Sequence, residues 1–158
     1  MSLFKCSHVW FTGRNQRRGV SAVETAITLP IFLWILLAML DLGIAVMRHN
    51  SLNDAATRLG RAAVIHGDMT SHLIAPWGPE PVHTSAASGL PVVEVIHLKI
   101  PTMSPEEVLV DMSWPDGENG PDDRVQVDVS YTHQSLVPGL FPWGPFDLHA
   151  STTMPIIN

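Results

Sequence analysis

Three hydrophobic patterns follow one another along the chain, and each predicts a different element. Residues 25–40 pass without a charge (TAITLPIFLWILLAML), and the apolar run resumes from Leu42 to Met47 with only Asp41 between. Phe32, Trp34, Ile35, Leu36 and Leu37 fall on every face of a helix, so the segment has no polar side to turn toward water. At 1.5 Å per residue, residues 26–47 reach roughly 33 Å, about the thickness of a bilayer's hydrocarbon core. A membrane-spanning helix over about 26–47 is expected. Asp41, near its outer end, lies within reach of the interface.

The second pattern begins where the first ends. Leu52, Ala55, Ala56, Leu59, Ala62, Ala63 and His66 recur at i, i+3, i+4 spacing, with Arg48, Asn50, Asn53, Asp54, Arg58 and Arg61 largely opposite. That is an amphipathic helix with small residues on its buried face. No proline occurs between Pro30 and Pro76, so one helix is expected from about Val20 to His66, with Gly67 suited to close it.

From Asp68 the period shortens. Residues 75–89, rich in Pro and Gly, read as an irregular loop. Four strands are then expected, at 92–100, 108–114, 125–131 and 146–154. The third alternates Val125, Val127, Val129 and Tyr131 against Gln126, Asp128 and Ser130. PDGENGPDD (115–123) is a strong turn signal between the second and third strands. No helical pattern separates the strands, so the sheet should be antiparallel, and the stripe over 52–63 is its available cover. The fold class is α+β, a long helix packed on about four antiparallel strands.

Charge divides the chain in the same place. Residues 1–19 carry Lys5, Arg14, Arg17 and Arg18 and no acid, whereas residues 68–158 carry twelve acids against Lys99 and Arg124, a net −10. The acidic part is unsuited to nucleic acid. Basic residues just before the span keep the N-terminus in the cytoplasm and export the acidic part. A cleavable secretory signal ending at Ala45 competes with this reading, but Asp41 interrupts the apolar stretch before its small-x-small site.

The chemistry-bearing residues form no recognisable catalytic or metal-ligating set. His66, His72 and His83 lie near Asp68 without a helical ligand spacing, and the acidic turn 116–123 lacks the spacing of a calcium loop. Cys6 is the one cysteine, which excludes an intramolecular disulfide. No enzymatic activity, cofactor or metal is expected. Glu24 is different, because a carboxylate inside an apolar helix is costly and is usually kept for a partner. An interfacial pairing with Arg17 or Arg18 is the alternative for it.

The run Arg18-Gly19-Val20-Ser21-Ala22-Val23-Glu24-Thr25-Ala26, followed by Leu29-Pro30 and the apolar span, resembles the TadE-like family of pseudopilins of Tad (tight adherence, Flp-type) pilus systems. Asp41-Leu42-Gly43, the Ala-rich and Arg-punctuated residues 53–63, and more loosely residues 124–154 continue the resemblance, while residues 68–123 stand outside it. Thr25 occupies a place where the family usually has Phe or Tyr.

The resemblance implies a pilin-like fold and a bacterial inner-membrane protein of single pass, with incorporation into a cell-surface pilus. It implies that prepilin peptidase cuts after Gly19, discarding a leader (1–19) and leaving Val20 as the N-terminus of a helix over 20–67 and an exported domain over 68–158. It further implies that Glu24, fifth in the mature chain, assists subunit assembly by neutralising an N-terminal amine. Partners would be membrane lipid, the peptidase, other pilins or pseudopilins and the Tad assembly platform. The rival reading is a single-pass anchored sensor or binding domain that joins no filament.

Overall fold

The computed structural model describes residues 16–71, 74–96 and 100–157, with side chains in the first helix from Gly19 onward. A long helix, α1 (Gln16–Ile65), is followed by β1 (Val82–Ser85), the single turn α2 (Pro91–Glu94), β2 (Leu109–Ser113), β3 (Arg124–His133) and β4 (Phe146–Pro155). Two compact units divide between Leu40 and Asp41.

The first unit is helical wherever it is described, and its side chains from Gly19 to Leu40 are exposed apart from the half-buried Leu37 and Ala38. Exposure there concerns large apolar groups: Val20 is 69% accessible, Ile27 61% and Phe32 66%. The Thr25 hydroxyl donates to the Ser21 carbonyl at 2.9 Å and that of Thr28 to the Glu24 carbonyl at 3.0 Å. Both hydroxyls are thus satisfied by their own helix, as an apolar surrounding requires. One helix of the described residues is long and apolar enough to cross a membrane.

The second unit is a meander. The sheet order is β1-β2-β3-β4 and every pair is antiparallel. Strands β3 and β4 pair from Arg124↔Pro155 to His133↔Phe146. Period-2 alternation puts Val125, Val127, Val129, Tyr131 and His133 on the covered face of β3, and Val108, Val110, Met112 and Trp114 on that of β2 and its flanks. Leu52, Ala55, Ala56, Leu59 and Ala63 of α1 belong to the same buried cluster, so the helix is the cover that the sheet needs. Small residues bring it close: a Cβ on Gly60 would stand 3.0 Å from Thr152 Cγ2 and 3.2 Å from Met154 Sδ.

The expected strand at 92–100 does not form where it is described. Pro91 opens α2 instead, because its fixed φ suits a first helical turn and it lacks the N–H that a ladder would use. Val92, Val93 and Ile96 reach the core at helical rather than alternate spacing. Residues 97–99 lie outside the described residues. The fourth strand is β1, inside the stretch expected to be loop, and it adds Val82↔Met112 through Ser85↔Leu109 to the sheet edge.

The long turn 115–123 is tied to the end of α1. Buried Asn119 accepts from Trp114 Nε1 at 2.9 Å and donates to the carbonyls of His66 and Trp77, and the Asp68 amide donates to the Asn119 carbonyl at 2.9 Å. The His66 and Trp77 rings stack at 3.9 Å. Gly78 has φ +90°, and a Cβ there would overlap the Trp114 indole.

Candidate functional site

Gly19, Val20 and Glu24 occupy the N-terminal turns of α1. Val20 and Glu24 are four residues apart and share a helix face. Both are exposed among apolar neighbours, and no side chain of the described residues partners the Glu24 carboxylate. The side chains of Arg17 and Arg18, its alternative partners, lie outside the described residues. An exposed anion on an apolar helix suits lipid poorly and suits a cationic partner well.

A second polar group lies within the other unit, and Asp41 is its centre. Asp41 is fully buried rather than interfacial. Its Oδ1 accepts from the Leu136 amide at 2.8 Å and its Oδ2 from Trp143 Nε1 at 3.2 Å. Both donors come from the connection between β3 and β4, so one carboxylate holds the two ends of that loop. The expectation that Asp41 reaches the interface considered only its position along the helix, and a distant loop supplies the partners instead.

His133 and Arg48 complete the arrangement. An Arg48 Nη donates to His133 Nδ1 at 2.9 Å, since guanidinium has no acceptor, and this puts the neutral imidazole's proton on Nε2. That nitrogen faces Asp41 Oδ1 at 3.7 Å and has no closer partner among the described residues. Burial, reinforced by the Arg48 charge, holds the His133 pKa below its ordinary value against the opposing pull of Asp41. Arg48 also lies 5.3 Å above the Tyr131 ring. Asp41 and Arg48 are thereby bridged by a neutral imidazole, which positions a helix against a sheet. The signals in the sequence were slight: Asp41 and Arg48 are seven residues apart on one helix face, and His133 extends the Val125–Tyr131 alternation by one more buried place.

Among the described residues the other histidines do not assemble. The His66 ring donates to the Ala75 carbonyl at 2.7 Å, and His83 meets the Asp111 carboxylate across β1 and β2. His72 lies outside the described residues. In the acidic turn Asp116 grips Arg124 through both carboxylate oxygens, and Asp123 accepts from the Gly120 amide. Among the described residues no three His, Cys, Asp or Glu are grouped to hold a metal ion.

These features define an α+β protein whose single N-terminal apolar helix fits a membrane anchor and whose C-terminal part is a helix-covered antiparallel sheet. Residues 19–61 match the family model described as TadE-like protein, which is pilus-associated and structural. The matched segment starts at Gly19, includes Val20, Glu24, Asp41 and Arg48, and ends within the helix that covers the sheet. No curated protein and no solved structure matches the chain.

Proposed function

We propose that the chain is a minor pseudopilin, a membrane-stored subunit that joins or primes a Tad-type pilus or related secretion apparatus. The observation that carries this reading is Glu24, an exposed carboxylate on an apolar helix, one turn after Val20 and inside the TadE-like segment. Prepilin peptidase cuts after Gly19 and removes residues 1–19. Gly19 lies within α1, so its turn must open into the peptidase. The new Val20 amine then stands one helical turn from Glu24, where that carboxylate, or a neighbouring subunit's, can neutralise it. The span expected over about 26–47 ends near Leu40 in this reading, because Asp41 and Ala45 are buried in the sheet domain. The exposed run 20–40 occupies the inner membrane, with the basic leader on the cytoplasmic side. The acidic sheet domain, with residues 41–65 of α1 as its cover, lies outside. Other pilins and the assembly platform are its partners, and its role is structural rather than catalytic.

Glu24→Gln tests the assembly role. Losing one partner of a buried charge pair costs about 3–5 kcal/mol, against roughly 0–1 for an exposed pair. At about 1.4 kcal/mol per decade, subunit association should fall by about two orders of magnitude or more. Cross-linking to the pilus-assembly components reads this directly, once cleavage at Gly19 is verified. A cleaved Glu24→Gln chain that associates as well as the parent would favour the rival anchored domain that never enters a filament.

A further inference from the structure

The connection between β3 and β4 is an apolar, uncharged tip on an otherwise acidic domain. Residues 134–145 (QSLVPGLFPWGP) contain no charge, although residues 68–158 together carry a net −10. Leu136 is 53% accessible, Val137 37% and Leu140 41%. The tip is built rather than slack. Leu140 donates its amide to the Val137 carbonyl at 3.2 Å around Pro138 and Gly139, and Gly139 has φ +81°, as a type II turn demands. Phe141 and Trp143 stack at 4.7 Å with planes 3° apart. The loop's position is equally defined, because Leu136 and Trp143 both donate to Asp41, the residue covalently next to Leu40.

We propose that this loop is a foot that rests in the outer membrane–water interface of the lipid bilayer. The proposal rests on the reading of residues 20–40 as the span. Asp41 is the first charge after the apolar residues 25–40. Although exposed Leu42, Val46 and Met47 continue the apolar side of the helix beyond it, whatever Asp41 grips lies near the depth where the uninterrupted run leaves hydrocarbon. A tip bearing Leu136, Val137 and Leu140, with a tryptophan whose N–H is satisfied and whose ring is amphipathic, is the composition that membrane interfaces collect. Absence of acidic residues from this one connection removes the repulsion that the rest of the domain would meet at anionic lipid.

The full chain, with Cys6→Ser, tests this in liposomes made with and without acyl-brominated lipid. Single cysteines replace Leu140, Val137, Ile35 in the apolar run and Glu118 in the turn at the opposite end of β3, each carrying an environment-sensitive fluorophore. The expected result is loss of emission on bromination at Ile35, Val137 and Leu140, and none at Glu118. Quenching at Ile35 without quenching at Val137 and Leu140 overturns the foot while leaving the span standing. A loop label that is blue-shifted yet indifferent to bromination lies against protein, and overturns it too. No quenching at Ile35 overturns the span and the foot with it. Two loop positions are used so that a local defect at one does not decide the result.

Discussion

Removing the Asp41 carboxylate should loosen the domain more than any single exposed ion pair could. In Asp41→Ala the Leu136 amide and the Trp143 indole, now 2.8 and 3.2 Å from carboxylate oxygens, lose the acceptor that a fully buried carboxylate gives them. Hydrogen bonds to a charged group contribute about 1.5–3 kcal/mol each. The same substitution strips His133 and Arg48 of their counter-charge. A fully buried pair would cost about 3–5 kcal/mol on losing one member, but Arg48 is half exposed, which reduces its share. These contributions overlap, and together they place the loss at about 3–5 kcal/mol. Asp41→Asn keeps one acceptor oxygen and should lose about half as much. Denaturant unfolding of the full chain in detergent, followed by tryptophan emission, gives the stability. Hydrogen exchange at Leu136 shows whether the loop end is released. Asp41→Ala within about 0.5 kcal/mol of the parent, with Leu136 still protected, would refute the reasoning, because that is the range of an ordinary surface change.

Two further outcomes concern packing and titration. Gly60→Val crowds Thr152 Cγ2, which already stands 3.0 Å from the position of the added Cβ, and should cost about 1–3 kcal/mol; Thr152→Ser in the same chain should recover part of it. Equal unfolding midpoints for the parent and Gly60→Val would contradict the close approach of α1 to β4. Because the folded pKa of His133 is depressed, the unfolded chain takes up its proton first as pH falls. The associated stability is therefore complete above about pH 6.5 and is lost below it, toward the folded pKa. His133→Gln, which still offers Arg48 an acceptor, should flatten the unfolding-midpoint profile between about pH 7 and pH 5; an unchanged slope would assign it to other groups.

Elements that bury one face are legible in the sequence. Val125, Val127 and Val129, or Leu52, Ala55 and Leu59, declare both their element type and the direction of the core, because period and burial are the same fact. Val82–Ser85 declares neither, since a four-residue edge strand with a mixture of half-buried and exposed places has no alternation to show. The apolar run after Pro91 was misleading for a related reason: a segment that enters the core as a single helical turn looks as apolar as a buried strand. Gly19, Val20 and Glu24, whose roles are proposals, were visible as candidates because their signal is local, a charge and a small-residue junction within a few positions. Asp41, Arg48, His133 and Trp143 were not, since their meeting requires a loop about a hundred residues downstream to return to the helix.

Every role proposed for Gly19, Val20 and Glu24 depends on where the mature chain begins. N-terminal sequencing, with intact mass, of protein extracted from native membranes should show a chain starting at Val20, its leader removed after Gly19. A chain that starts at Met1 in assembled material, or at Val46 as a secretory signal would leave it, would contradict the account.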